Sequence, residues 1–311
     1  MYYPVLRAKQ FELIALREIV SHDPQLFQQF TPIIEPVNDT YKPFLRAIEA
    51  LNSIDITPLV LINPTVGKLK NDWLNLDELV DLNYLPTIEF NSDTEELALQ
   101  KATSIGIENI AAFVIEGCSV QTLKALDGVD TLIVDTDIVQ AGRYQKSLNT
   151  KVVLLQDGFR RQDKNAEYSG RTAFGSAIAD YRNSRLHGFS DYTITGRFFS
   201  EGGGPAYVVA IHLSELLKDD SGFGPEVQIL INHYVSEDNG SAVDPAGKFM
   251  EALAKLIEDV SGRTECFFDS TGLIDFKSLY SQRHFSGLGS AKKNSIKHHI
   301  ETIAQYLLEN D

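Results

Sequence analysis

Short apolar runs, rich in Val, Ile, Leu and Thr, alternate with segments of helical periodicity along the first two thirds of the chain. Turn residues bound each run, and the apolar positions within a run are continuous. Continuous apolar runs are typical of parallel strands that are covered on both faces. The eight runs lie at residues 5–7, 32–37, 57–63, 85–90, 110–117, 131–136, 151–158 and 191–196.

The segments between these runs predict helices, most clearly at residues 11–20, 41–52 and 93–106. Strand–helix alternation repeated about eight times is the signature of a (β/α)8 barrel. The sequence therefore predicts an α/β fold of the TIM-barrel type. A doubly wound open sheet is the competing arrangement, but no glycine fingerprint follows the first predicted strand.

The pattern changes after Gly196. Two strand-like runs, at residues 206–215 and 226–235, predict an antiparallel hairpin. Helical patterns follow at residues 246–262, 276–285 and 290–310. We expect residues 1–200 to form the barrel core and residues 201–311 to pack on it as a hairpin with helices. No linker rich in Pro and Ser separates the two parts, so a single structural unit is predicted.

Composition narrows the class of protein. The 311 residues are 43% hydrophobic, which is ordinary for a globular chain. Cys118 and Cys266 form no C-x-x-C pair, so they are expected to be reduced thiols. The N-terminus lacks the pattern of a signal peptide, and no apolar stretch has the length of a membrane span. A cytoplasmic protein without membrane contact is predicted.

Polar residues stand at the predicted carboxyl ends of five strands. In a barrel, alternate strand residues point inward and functional groups lie at those ends. Each of these polar residues comes two positions after an apolar or small residue, so we expect all five side chains to share one mouth. They are Arg7, Glu35, Glu89, Glu116 and Asp135. Further candidates for the same mouth are Asn63, Gln156 or Asp157, and Asp191.

Carboxylates crowded in a partly dry pocket need a proton or a cation. Glu35, Glu89, Glu116 and Asp135 are therefore predicted to act as acid or base, or to hold a divalent metal ion such as Mg²⁺ or Mn²⁺. Arg7 and Lys9 would orient a small anionic or phosphorylated ligand. Catalysis stays open, and a hydrolase or lyase is the expected class if the protein is an enzyme. The alternative is a structural network in which Arg7 and Lys9 neutralise Glu35 and Glu89.

Residues 158–176 follow the seventh predicted strand and are rich in cations. The loops after strands seven and eight of such barrels commonly bind phosphate. The predicted anion ligands of this loop are Arg160, Arg161, Lys164 and Arg171, with Arg160 and Arg161 foremost. An ordinary charged surface loop is the alternative.

The chain carries a net charge of −15, which repels polyanions, but residues 277–299 contain five Lys or Arg and no carboxylate. Within this segment, Gly287 and Gly289 resemble the hairpin of a helix–hairpin–helix nucleic-acid module. Their backbone N–H groups would face a phosphate, with Lys292 and Lys293 adding charge. The alternative is a tight turn beside a solvated basic face.

Seven histidines form no zinc-binding motif. His212 and His233 fall in the predicted hairpin, where they could face each other. A structural cross-strand pair is the favoured interpretation of these two residues.

Five short motifs are spread over nearly the whole chain: Tyr3-Pro4-x-Leu6-Arg7-x-Lys9-x-x-Glu12, Pro32-Ile33-Ile34-Glu35-Pro36, Ser190-Asp191-Tyr192, Gly287-Leu288-Gly289 and His298-His299. In these motifs the chain resembles the beta-protein family of phage and bacterial proteins. It implies no assigned reaction or cofactor. It does imply a role in phage–host conflict, and it groups Arg7, Lys9, Glu12 and Glu35 for testing. The rival function is thus a non-enzymatic component of a phage-defence or mobile-element system, contacting a partner protein or nucleic acid through the basic C-terminal helices.

Overall fold

The computed structural model describes residues 1–115, 117–202, 207–218, 226–237 and 240–310. Eight parallel strands close into a barrel in the order β1-β2-β3-β4-β5-β6-β7-β9, with β9 paired to β1. The barrel strands are β1 (Tyr2–Arg7), β2 (Ile33–Glu35), β3 (Leu59–Leu61), β4 (Leu85–Phe90), β5 (Ala111–Val114), β6 (Thr131–Asp135), β7 (Lys151–Leu155) and β9 (Gly188–Asp191). The predicted (β/α)8 barrel is confirmed.

Helices connect most of these strands. They are α1 (Gln10–His22), α2 (Lys42–Asn52), α3 (Glu95–Ile105), α4 (Val120–Ala125), α5 (Ile138–Ser147) and α6 (Ala177–Asn183). In α2 the buried residues Phe44, Ala47, Ile48 and Leu51 fall on one face at helical spacing. Between β3 and β4 a single 3₁₀ turn, Leu76–Leu79, replaces the full helix. Strands β1, β2, β3 and β5 are buried along their whole length, as expected for strands covered on both faces.

The eighth barrel strand is misplaced by the sequence pattern. The apolar run at residues 191–196 was the predicted strand, but β9 ends at Asp191 and a 3₁₀ turn follows at Thr193–Thr195. Thr193 has φ of 53°, which ends the extended backbone. The strand begins at Gly188. A Cβ at this position would lie 2.3 Å from the carbonyl oxygen of Met1, so the close approach of the two backbones requires glycine. The prediction of a strand at residues 191–196 is therefore wrong.

Two compact groups of residues make up the chain. The first, called the barrel unit, contains Met1–Leu13, Phe27–Gln156 and Ala177–Asp191. The second, called the C-terminal unit, contains Ile14–Leu26, Asp157–Ser176 and Tyr192–Asp311. One early segment and one segment from the middle of the sequence thus group with the C-terminal part of the chain. The domain division at residue 200 stays a prediction.

The C-terminal unit contains a three-stranded antiparallel sheet in the order β10-β11-β8. Strands β10 (Ala210–Lys218) and β11 (Val227–Val235) form the predicted hairpin, with His212 opposite His233. The third strand, β8 (Arg171–Gly175), pairs with β11 and lies in the segment that was predicted as a loop.

Three helices complete the C-terminal unit: α7 (Pro245–Gly262), α8 (Thr271–Ser281) and α9 (Leu288–Asn310). The apolar core joins Ile211 and Leu213 of β10 to Phe249 and Leu253 of α7 and to Phe276 of α8. In the part of the chain that the structure describes, no helix combines the length and apolar composition needed to cross a bilayer.

Candidate functional site

The strand ends of the barrel unit hold a buried ion pair. Arg7 and Glu35 are register partners at the ends of β1 and β2. Arg7 Nε donates to Glu35 Oε2 at 3.3 Å, and the two residues are only 7% and 3% exposed. A buried pair of this kind holds both charges in place.

Glu35 and Glu89 meet at Thr65. The Thr65 backbone N–H donates to Glu35 Oε1 at 3.0 Å. The Thr65 hydroxyl lies 3.2 Å from Glu35 Oε1 and 3.2 Å from Glu89 Oε2. Because one hydroxyl carries one proton, it donates to one carboxyl group at a time. The structure thus brings together three of the five side chains predicted to converge: Arg7, Glu35 and Glu89.

The remaining predicted strand-end residues are placed differently. The Asn63 side chain bonds the backbone of Glu89 in both directions, at 2.9 and 2.8 Å, so it joins the ends of β3 and β4. Asp135 is the last residue of β6 and is partly buried. Lys9 is partly buried in the turn between β1 and α1. Glu116 lies outside the described residues.

The predicted metal seat gains no support from the described residues. Among them, no three or more His, Cys, Asp or Glu side chains are grouped so as to hold a metal ion. Asp191 accepts a hydrogen bond from the Tyr2 hydroxyl at 2.8 Å inside the barrel unit. The Mg²⁺ or Mn²⁺ site therefore stays a prediction.

A second candidate site lies in the C-terminal unit. It is a cavity of about 240 Å³ built by four separate segments of the chain. The segment after β7 contributes Arg161 and Tyr168, and the turn after β9 contributes Thr195. Strand β10 contributes His212, and the first two turns of α9 contribute Lys292. We call this space the C-terminal cavity.

The lining of the C-terminal cavity is cationic. Arg161 and Lys292 line it from different elements, and no carboxylate is among its described lining residues. The Arg161 guanidinium stacks at 3.7 Å from the ring centroid of Phe198. In a chain with a net charge of −15, two cations without a carboxylate neighbour in the lining mark a local positive field.

His212, which lines this cavity, belongs to a pair of histidines. His212 Nδ1 lies 2.8 Å from His233 Nδ1, and His233 Nε2 lies 2.8 Å from the Thr172 hydroxyl. The Tyr168 ring packs against both imidazoles, at 4.6 and 4.8 Å between centroids. Phe159 meets His212 edge-on at 5.1 Å. The predicted cross-strand pair is thus present, and it belongs to a cluster that the sequence did not reveal.

Burial sets the charge of these histidines. Burial, together with the neighbouring His233 and Lys292, lowers the pKa of His212 to about 3. Burial also lowers the pKa of His233 to about 4. Both imidazoles are therefore neutral near neutral pH, and the contact between the two Nδ1 atoms holds a single proton.

The other predicted loop ligands do not line the cavity. Asp157 Oδ2 accepts the Arg197 backbone N–H at 2.9 Å and so fixes the loop. Arg160 is exposed. Arg171, in β8, pairs with the buried Glu215 at 3.1 Å. Of the cations named in that loop, Arg161 lines the cavity.

The basic C-terminal segment is largely neutralised. Lys293 lies 2.7 Å from the Glu18 carboxylate. Lys297 is 1% exposed and lies 2.8 Å from Glu18 and 2.9 Å from Asp275. Burial acts against the charged form of Lys297, but its bonds to these carboxylates outweigh burial and raise the pKa. A solvated basic face at Lys293 and Lys297 is therefore absent.

Gly287 directly precedes α9, and Gly289 lies in the first turn of that helix. Gly287 has φ of 97°, a backbone conformation that favours glycine. Its carbonyl oxygen accepts the backbone N–H groups of Ser290 and Ala291. Gly289 is the second residue of the helix, and the adjoining Leu288 lines the C-terminal cavity.

Fold and site together define a (β/α)8-barrel protein whose C-terminal unit holds a small cavity with a cationic lining. A scan against models of protein families found no match, and a search of curated proteins found no significant match. The resemblance to the beta-protein family stays a prediction.

Proposed function

We propose that this chain binds a small anionic ligand, phosphorylated or carboxylated, in the C-terminal cavity. One observation carries the proposal: Arg161 and Lys292 reach the same cavity from separate elements, and its described lining contains no carboxylate. An anion there would be attracted by both cations.

The position of the lining residues in the sequence supports the same function. Barrels of this class commonly bind phosphate with the loops that follow strands seven and eight. Here the segments after the seventh and eighth barrel strands, β7 and β9, supply Arg161 and Thr195. Lys292 lies near the N-terminus of α9, where the helix dipole also favours an anion.

The size of the cavity favours a small molecule over a polymer. Its volume of about 240 Å³ is close to the lower end of ligand pockets. The rival function, contact with nucleic acid or a partner protein through the basic helices, depends on Lys292 and Lys293. Lys293 is already paired with Glu18, which weakens that rival.

The predicted acid–base role of the barrel strand ends is a separate part of the proposal. Glu35 and Glu89 both lie within hydrogen-bonding distance of the Thr65 hydroxyl, which supports the proposal that these two carboxyl groups act together. Asp135 and Glu116 complete the predicted set. Any reaction there would be of the hydrolase or lyase type proposed from the sequence.

Binding of inorganic phosphate, measured by titration calorimetry at low salt, tests the anion site. Arg161→Gln and Lys292→Gln are each expected to weaken binding at least about tenfold, because each removes one charged hydrogen-bond donor. Arg160→Gln is the matched control, since Arg160 is next to Arg161 and equally exposed but does not line the cavity.

Two results would contradict the proposed function. One is the absence of phosphate and sulfate binding by the unaltered chain. The other is binding that Arg161→Gln and Lys292→Gln leave at its original strength, because the anion would then sit elsewhere.

A further inference from the structure

His212 stands between the C-terminal cavity and the buried interior of the same unit. Its Nδ1 is engaged by His233, whereas its Nε2 makes no hydrogen bond within the part of the chain that the structure describes. His212 also lines the cavity beside Lys292. One ring nitrogen is thus held by protein and the other is open to a ligand.

Counting protons shows what the pair can offer. The contact between the two Nδ1 atoms has room for one proton, at 2.8 Å. When the pair holds two protons it is neutral. If His212 carries its proton on Nε2, His233 carries the other on Nδ1, and His233 Nε2 then accepts a hydrogen bond from the Thr172 hydroxyl. When the pair holds three, His212 carries a proton on Nε2, and His233 Nε2–H donates to the Thr172 oxygen. His212, His233 and Thr172 thus form a hydrogen-bonded relay. Both hydrogen bonds of this relay are kept when the histidine pair takes up a proton.

We infer that His212 donates its Nε2–H to the bound anion, and that the His212–His233 pair takes up a proton when a dianion binds. This inference rests on the proposed function and deepens it. Arg161, Lys292 and His212 are then three donors on three different elements. A tetrahedral oxyanion with three accepting oxygens, such as a phosphate monoester, matches them better than a monocarboxylate does.

The charged and titratable groups around His212 determine whether anion binding favours or opposes proton uptake by the histidine pair. Lys292 faces it from α9, Arg161 and Tyr168 face it from the segment after β7, and His233 faces it from β11. Burial, and for His212 also the charge of Lys292, keeps the pair neutral without a ligand. A dianion cancels that positive field and favours the protonated pair.

The sign of the pH dependence follows by linkage. The pKa of His212 is about 3 in the empty site, and a bound dianion raises it. Affinity therefore rises as the pH falls from above the raised pKa toward the empty-site value, by up to about tenfold per pH unit for one proton.

Sulfate is the sharpest probe, because it keeps both negative charges across the range in which histidine is tested. Calorimetric titration with sulfate from about pH 8 to about pH 5 is expected to show rising affinity and, in buffers of different ionisation enthalpy, proton uptake. His212→Gln is expected to bind more weakly and to lose both the pH slope and the proton uptake. Arg160→Gln is expected to keep both.

Thr172 and His233 are positioning residues in this relay. With ¹⁵N-labelled histidine, the imidazole shifts of His212 report which nitrogen carries the proton. In the unaltered chain the shifts are expected to change on saturation with sulfate. Thr172→Val is expected to alter the His212 tautomer in the empty site, which loss of packing alone would not do.

The outcomes separate the two proposals. If sulfate binds with an affinity independent of pH, and His212→Gln binds as tightly as the original chain, the inference is overturned and the proposed function stands. If neither sulfate nor phosphate binds, both fall. Should His212→Gln fail to fold, unchanged His212 nitrogen shifts in the unaltered chain at saturating sulfate would overturn the inference.

Discussion

Two regions of this molecule carry charged groups in opposite ways. At the strand ends of the barrel unit, buried Arg7, Glu35 and Glu89 bind one another directly or through Thr65. In the C-terminal cavity, Arg161 and Lys292 line open space without a carboxylate among the described lining residues. Charges that neutralise each other inside a protein fix the positions of their side chains, whereas a cationic lining attracts anions. This difference is the ground on which anion binding is proposed for the cavity.

Breaking the buried ion pair gives the largest expected effect. Arg7→Met leaves the Glu35 carboxylate buried without its cation, so the free energy of unfolding should fall by about 3–5 kcal/mol in urea denaturation. Lys68→Gln is the control, because the Lys68–Asp39 pair is 59% and 64% exposed and should contribute at most about 1 kcal/mol. Equal losses for the two variants would remove the contrast between buried and exposed pairs.

The pH dependence of stability tests a buried histidine that does not line the C-terminal cavity. His298 is buried and bonded to Ser270 Oγ and the Ser214 carbonyl oxygen, and burial lowers its pKa to about 4. His298 binds a proton more readily in the unfolded chain than in the folded one. Its contribution to the free energy of unfolding therefore decreases as the pH falls from about 6.5 toward 4. The loss should approach about 1.4 kcal/mol per pH unit for this group.

Denaturation midpoints measured across that pH range check this expectation. His298→Gln should flatten the dependence, whereas the exposed His284→Gln should leave it unchanged. A dependence of equal steepness in His298→Gln would show that other groups control acid stability. In contrast to the His212 experiment, added sulfate should not change the slope that His298 contributes.

The smallest expected effect concerns the turn before α9. Gly287→Ala places a side chain at φ of 97° with no atom within 4 Å of the new Cβ, so backbone strain is the only cost. That cost should be about 1 kcal/mol in the free energy of unfolding. Gly142→Ala, within α5 and equally open, should instead stabilise by about 0.5–1 kcal/mol. A neutral Gly287→Ala would mean that the turn adapts without strain.

The sequence predicted the fold well because apolar periodicity reports burial directly. Continuous apolar runs located seven barrel strands, and the register of the hairpin placed His212 opposite His233. The eighth strand was missed because its residues, Gly188–Asp191, include only one large apolar side chain. Strand β8 was missed because Arg171–Gly175 does not alternate between apolar and polar residues. Its partner strand β11 is far along the chain, so the local sequence does not indicate the pairing.

The site was harder to predict because its neighbours are distant in sequence. Arg161 and Lys292 were each selected as anion ligands, but by separate arguments, and only the folded chain shows that they share a cavity. Lys293 was selected as a candidate phosphate contact, with a solvated basic face as the alternative. Its carboxylate partner Glu18 is 275 residues away, so no local pattern could reveal the pairing.

The same long-range pairing has a consequence for synthesis on the ribosome. All the barrel strands have been made once Asp191 emerges, but Glu18 then still lacks both of its lysines. Because chains are synthesised at a finite speed, Glu18 cannot pair with Lys293 and Lys297 of α9 until the last part of the protein has been translated. A nascent chain arrested before Leu288 would expose the stretch of α1 around Glu18 to chaperones, even with every barrel strand translated.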